Sequence, residues 1–139
     1  MVLKSFLDKL PRPTRRIVLE LDLARGVLET FPRNPLQMLQ VVGATAISDL
    51  RGHLTEAVKD ERVAGLIVHA VDCGQPMTVM DEIAQLIEAF GARRPTMAWA
   101  ESFGELGNSL AAYKLATACR TVWLQPTGVL GIGGVEVDI

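Results

Sequence analysis

The feature that most restricts the fold is an almost continuous apolar run over residues 64–71, AGLIVHAV. A strand with one buried face alternates apolar and polar residues, whereas an unbroken run is typical of a strand covered on both faces, as in a parallel sheet. Parallel neighbours need long crossover connections, and these are usually helices. The run therefore predicts a parallel sheet with helices between its strands.

The rest of the chain supplies the elements that such a sheet requires. Residues 17–23 carry apolar side chains at every odd position, which predicts a strand with one buried and one more polar face. Apolar residues recur at spacings of three and four after this strand and again after the apolar run, as they do in amphipathic helices. The predicted helices span 47–60, 78–91 and 109–119, and further strands span 95–100 and 121–124. This order predicts an α/β fold, a parallel sheet with helical crossovers.

The ends and connections of these elements carry weaker signals. Thr78 and Asp81 resemble a capping box, Gly91 a C-cap, and Asn108 the N-cap of the last helix. Residues 29–35 predict an irregular segment, 36–46 stay unassigned, and 135–137 predict a short strand. We expect residues 1–16 to be an N-terminal segment and residues 17–139 to be a single domain.

Composition excludes several classes of protein. The net charge of −2 argues against a nucleic-acid partner bound through its phosphates, because such proteins are normally basic. No apolar run approaches the roughly 18 residues of a membrane span, and residues 1–16 lack the apolar core of a secretory signal. We therefore expect a cytoplasmic location, with peripheral membrane association as an alternative. Cys73 and Cys119 predict two free, mostly buried thiols.

Four serines are the candidate nucleophiles: Ser5, Ser48, Ser102 and Ser109. None of them stands in a G-x-S-x-G elbow. Ser109 begins a predicted helix, where backbone N–H groups stabilise an oxyanion, or else it simply caps the helix together with Asn108. Lys114 follows five residues later, about 140° around the helix, which argues against a Ser–Lys dyad. The pattern favours a solvated Lys114.

The two histidines are His53 and His69. His69 lies inside an apolar strand, which favours a core histidine with a satisfied hydrogen bond over the base of a catalytic triad. His53 is predicted on the solvated face of its helix. Neither histidine forms a metal-binding spacing with the cysteines.

Residues 128–134, GVLGIGG, are as rich in glycine as phosphate-binding loops are. Such a loop stands between a strand and the helix whose N-terminus binds the phosphate, but here a strand is predicted to follow. These glycines are therefore expected to allow close backbone approach or positive φ.

Three stretches resemble the signal peptide peptidase A family, also called protease IV. Residues 56–67, EAVKDERVAGLI, are similar to its A-x-x-D-x-R-V-x-G-L motif. Residues 94–102, RPTMAWAES, resemble its K-P-V-x-A-Y-A-E-S strand, and residues 113–128, YKLATACRTVWLQPTG, resemble its Y-Y-L-A-T-A-x-D-E-I-W-L-Q-P-x-G block. The resemblance covers residues 17–134 and implies a superhelical repeat of the Clp protease/crotonase-like fold.

The resemblance is to the first of the two repeats in the long form of that family. There the second repeat carries the serine in an S-G-G-Y turn, and the lysine follows the W-L-Q-P-x-G block. Aligning that turn with residues 110–113 puts Leu110 at the nucleophile position, and the sequence stops at Ile139, before the lysine segment. The resemblance thus implies no catalytic, cofactor-binding or metal-binding residue in this chain. Lys114 and Arg120 depart from the family pattern, and the neighbours of Gly74 do not reproduce its oxyanion-hole loop.

Three hypotheses follow. The first is a truncated or split protease IV-like serine peptidase homologue, inactive alone, which meets a peptide substrate only when assembled with a companion chain carrying the second repeat. The alternative is a non-enzymatic, homo-oligomeric interaction domain on a crotonase-like scaffold. A third hypothesis, an acyl-thioester enzyme of the crotonase type, would use Glu101 or Glu105 as its carboxylate.

Overall fold

The computed structural model describes residues 16–28, 45–104, 109–131 and 133. The main sheet consists of strands β1 (Ile17–Asp22), β4 (Val63–His69), β5 (Thr96–Ala100) and β6 (Thr121–Leu124). Strands β2 (Val27–Leu28) and β3 (Thr45–Ala46) form a second, two-stranded sheet. The helices are α1 (Ile47–Lys59), α2 (Met77–Gly91) and α3 (Leu110–Ala116), with one 3-10 turn over Leu23–Arg25.

All pairings in the main sheet are parallel, in the spatial order β1-β4-β5-β6. Helix α2 connects β4 to β5, and α3 connects β5 to β6. The predicted α/β fold, a parallel sheet with helical crossovers, is confirmed.

The three helices cover one face of this sheet. On that face Leu21, Val68 and Ala98 stand side by side in neighbouring strands and are almost fully buried. They share one apolar core with helix residues such as Ile83 and Leu115. Burial of this face is the main stabilising term, because apolar surface removed from water contributes about 25 cal/mol per Å².

The other face, which we call the open face, carries two rows of side chains across the four strands. One row runs through Glu20, Ile67, Met97 and Thr121, and the second through Asp22, His69, Trp99 and Trp123. All eight residues are half-buried or exposed. None belongs to the core or to the partly buried apolar residues packed against it.

The prediction that the apolar run is covered on both faces is therefore wrong for the part of the chain that the structure describes. In β4 the burial alternates, with Leu66 and Val68 buried but Ile67 and His69 only partly buried. The run is nearly continuous because Ile67 on the open face is apolar too, although only the opposite face of β4 lies under helices.

The predicted capping box of Thr78 and Asp81 does not form at the start of helix α2. Its N-cap residue is Pro76, whose carbonyl accepts the N–H groups of Val79 and Met80, and no side chain caps the helix. Asp81 pairs instead with Lys114 of α3, with Oδ1 2.6 Å from Nζ. The helix ends with Gly91, buried against Thr96, and the C-cap residue is Ala92.

Helix α3 is shorter than predicted, because it ends at Ala116 rather than at residue 119. The N–H groups of Ala118 and Cys119 bond to the carbonyls of Leu115 and Ala116, which tightens the chain into a turn before β6. Ser109 occupies the N-cap position without a side-chain capping bond.

Several predictions lie outside the described residues: the N-terminal segment, the irregular segment 29–35, most of 36–46, the roles of Asn108 and Glu105, and the strand 135–137. Within the described ranges, no helix has the length and the hydropathy that a bilayer crossing requires.

Two glycines of the glycine-rich stretch confirm the predicted close backbone approach. A Cβ atom on Gly128 would collide with the carbonyl of Glu101, and one on Gly131 with that of Gly104. A third tight position lies in the sheet itself. There a Cβ on Gly65 would stand 2.8 Å from the Pro95 carbonyl oxygen, which accepts the N–H of Leu66.

The sheet therefore predicts opposite effects for two Gly→Ala substitutions. Gly65→Ala should lower the free energy of unfolding by about 1–3 kcal/mol, because the Pro95 carbonyl is held by its hydrogen bond and cannot yield. Gly52→Ala, on α1 with no atom within 4 Å of its Cβ, should raise it by about 0.5–1 kcal/mol. Urea unfolding of both variants checks this, and equal effects would contradict the observed strand spacing.

Candidate functional site at the carboxyl ends of the strands

The carboxyl ends of three neighbouring strands bring three titratable side chains together. Asp22 ends β1, His69 ends β4, and Glu101 directly follows β5. They meet because the strands are parallel and Asp22, His69 and Trp99 are in register. In open α/β sheets ligands bind at this edge. The cluster is therefore the candidate functional site.

His69 bridges the two carboxylates. Its Nδ1 lies 2.8 Å from Oδ1 of Asp22, and its Nε2 lies 2.8 Å from Oε2 of Glu101. A neutral imidazole has a single N–H, so donation to both carboxylates requires the imidazolium form. The ring also stacks on the indole of Trp99, with centroids 4.0 Å apart and an interplanar angle of 4°. Such stacking attracts a cation to the aromatic face.

The protonation of His69 follows from these contacts. Burial of the imidazole disfavours its charged form, since only 12% of the side chain is exposed. The hydrogen bonds and the negative charges of Glu101 and Asp22 outweigh this effect and raise the pKa of His69 above its ordinary value.

The two carboxylates are held unequally. Asp22 also accepts the N–H of Ala24 and pairs with Arg25, with Oδ2 3.3 Å from Nε. Partial burial raises the pKa of Asp22, but the bonds from His69 and Ala24 and the charge of His69 outweigh it, so the pKa lies below its ordinary value. The side chain of Glu101 is 54% exposed, and the bond from His69 is the main cause that lowers its pKa.

This arrangement stabilises a positive charge on the His69 ring. A general base needs a free lone pair within reach of a substrate, and both ring nitrogens of His69 already face carboxylates. The expectation of a core histidine with a satisfied hydrogen bond is thus correct about the bonding. The ring lies on the open face rather than under the helices, although only 12% of its side chain is exposed. Glu101 is bonded to an imidazolium and has a lowered pKa, which makes it a weaker base than a free carboxylate.

The structure does not assemble the serine candidates that it describes into a nucleophilic site. Ser102 exchanges two hydrogen bonds with the backbone of Val129. Ser48 lies exposed on α1, and Ser5 falls outside the described residues. Lys114 pairs with Asp81 rather than with Ser109, which agrees with the predicted solvated lysine. Among the described residues, no serine hydroxyl bonds to a histidine or a lysine.

The remaining candidates do not form a site either. His53 is exposed on α1, as predicted. The N–H of Gly74 donates to Oδ1 of Asp72, 2.9 Å away, so it is not available to an oxyanion. Over the ranges described, no group of His, Cys, Asp and Glu side chains is suited to hold a metal ion.

Both cysteines are free thiols, as predicted. Cys119 is buried, and burial raises its pKa to about 11. Cys73 is half-buried beside Met80, and burial likewise raises its pKa above the ordinary value. Neither thiol is activated as a nucleophile, because a raised pKa disfavours the thiolate.

No protein-family model matches this chain, and no curated protein matches it either. The resemblance to protease IV therefore rests on the three stretches of sequence.

The cluster predicts a stability maximum in mildly acidic solution. The pKa of His69 is raised above 6.5, so its stabilisation is complete below that pH and is lost as the pH rises through the folded-state pKa. The pKa values of Asp22 and Glu101 are lowered from 3.8 and 4.5, so their stabilisation is present above those values and is lost in acid. We expect Tm to fall as the pH is raised above 6.5.

Two histidine variants test the origin of this dependence. His69→Gln should remove the decline of Tm on the alkaline side, whereas His53→Gln, on the exposed face of α1, should keep it. Thermal melts across the pH range, with an NMR titration of the His69 ring, provide the measurement. A decline that persists in His69→Gln would place its cause elsewhere.

Proposed function

We propose that the chain is a non-catalytic docking module, similar to the first repeat of a protease IV-like peptidase. Its open face packs against a companion polypeptide, and a peptide substrate is met only in that assembly. The observation that carries the proposal is the one-sided covering of the parallel sheet among the described residues.

Parallel sheets occur almost only with both faces covered. Here the open face presents large apolar side chains, and 63% of Trp123 is exposed. Val129 and Leu130, in the segment after β6, are also about half-exposed. Large exposed apolar patches mark interaction sites in soluble proteins.

The bonds that the described candidate residues already make favour a docking role. Ser102 is bonded to backbone, Lys114 to Asp81, and His69 to two carboxylates, so no described residue combines a nucleophile with a base. The same contacts count against the acyl-thioester hypothesis, because Glu101 is held by His69. The parallel strand order and the helical crossovers agree with a Clp protease/crotonase-like repeat.

The homo-oligomeric alternative is favoured by a different observation. Strand β6 is one of the two edges of the described sheet, and all four of its residues are exposed. An exposed edge strand can pair with a strand of a second copy. A discrete oligomer of the purified chain would support this alternative over a companion of different sequence.

We expect the purified chain to be inactive as a peptidase. The purified chain should hydrolyse fluorogenic model peptides no faster than buffer does, because no described serine is paired with a base. Ser109→Ala should give the same rate as wild type. Cleavage that Ser109→Ala abolishes would contradict the proposed role.

A second prediction concerns the open face. A neutral apolar dye should bind the wild-type chain and fluoresce about twofold less with Trp123→Ser, because the substitution removes exposed aromatic surface. Leu110→Ser is the matched control, since Leu110 is 41% exposed on α3, in the layer of helices. Equal dye binding by both variants would refute the docking surface, and light scattering distinguishes a monomer from a discrete oligomer.

A further inference from the structure

The open face carries a surplus of negative charge around its apolar centre. Glu20 is exposed and forms no ion pair with any described residue, and Glu101 is 54% exposed. Asp22 is the third carboxylate, and the cations beside it are His69 and Arg25. Three carboxylates thus face two cations, and the uncompensated one lies in the row of Ile67 and Met97.

The size of the open face limits what can cover it. Two rows across four strands span on the order of 300 Å², from the strand spacing of about 4.8 Å and the rise of about 3.3 Å per residue. A stable dimer buries about 800 Å² on each partner. The two rows by themselves therefore match one helix or strand rather than a whole globular surface.

Charge argues against a second copy of this chain in that place. In a two-fold symmetric contact the same patch meets itself, so Glu20 and Glu101 would approach a surface that is itself negative. Like charges brought together in an interface are unfavourable. Arg16 does not neutralise Glu20. It precedes β1, and its Cα stands about 13 Å from that of Glu20 along an extended strand.

We propose that the open face binds an amphipathic segment of a companion polypeptide, whose apolar side chains cover Trp99 and Trp123 and whose Arg or Lys side chains pair with Glu20 and Glu101. This inference rests on the proposed docking function and names the chemistry of the partner. Trp99 is backed by the His69 ring, so it is a rigid platform, and Trp123 beside it offers the larger exposed area.

Three synthetic peptides test the charge preference on the full chain. Each has about 14 residues, the length of a helix some 20 Å long, with the same leucines at helical spacing. Their polar positions are filled with arginine, glutamine or glutamate. We expect the arginine peptide to bind at least about tenfold more tightly than the glutamine peptide in calorimetry, and the glutamate peptide not to bind. Added salt should weaken the binding of the arginine peptide, because it screens the charge pairs.

Matched variants locate the binding. Glu20→Gln combined with Glu101→Gln should lower the affinity for the arginine peptide about tenfold. Glu61→Gln combined with Glu88→Gln changes the net charge equally, at exposed positions away from the open face, and should leave the affinity unchanged. Trp123→Ser should abolish binding of the arginine peptide.

The outcomes separate this inference from the proposed function. Equal affinity for all three peptides, or equal behaviour of the two double variants, would overturn the charge preference. If Trp123→Ser still abolished binding, the docking surface itself would stand. Absence of binding by every peptide overturns the inference, and a discrete dimer that depends on Trp123 would then identify a second copy as the occupant. If Trp123→Ser also left dye binding and assembly unchanged, the docking function would fall as well.

Discussion

Hydrogen bonding between parallel strands fixes the side chains of this protein in two layers. Once β4 pairs with β1 and β5 in register, each residue that faces the helices obliges the next residue to face away from them. Val68 enters the core for this reason, and His69 cannot. The helices bury the first layer, and the second keeps Trp99, Trp123 and the titratable cluster at the surface of the sheet. The core, the cluster and the open face are thus consequences of one hydrogen-bonding register.

The residues of the cluster support one another electrostatically. An isolated imidazolium in a half-buried position would lose its proton, but two carboxylates at hydrogen-bond distance and an aromatic ring stabilise its charge. The carboxylates in turn lose part of their solvation and are compensated by the same cation. Such a group stabilises the edge of a sheet electrostatically. Its contribution depends on the charge states of Asp22, His69 and Glu101 together.

Periodicity was enough to predict the strands and helices, because the apolar spacing in α1, β4 and α2 reflects their packing directly. It was not enough to predict coverage of the open face, since Ile67 and Met97 are apolar whether or not anything lies on them. The capping box failed because Thr78 and Asp81 satisfy a local pattern, whereas Asp81 finds a stronger partner in Lys114 across two helices.

The cluster was missed for a related reason. Asp22, His69 and Glu101 are far apart in sequence, and only a three-dimensional register brings them together. A signal was nevertheless present, since each stands at or just beyond the last residue of a strand, where the carboxyl ends of parallel strands meet. The apolar neighbours of His69 along the chain predict a core position. Its actual surroundings come from adjacent strands.

The unequal anchoring of the two carboxylates gives this edge of the sheet a defined order of release. A neutral imidazole retains one N–H and can donate to only one of its two neighbours. Asp22 keeps the bond from Ala24 and the pairing with Arg25, whereas Glu101 has only His69 as its side-chain partner among the described residues. The tautomer that keeps Asp22 therefore frees Glu101. A single proton on one ring therefore determines whether the carboxylate of Glu101 is bonded to His69.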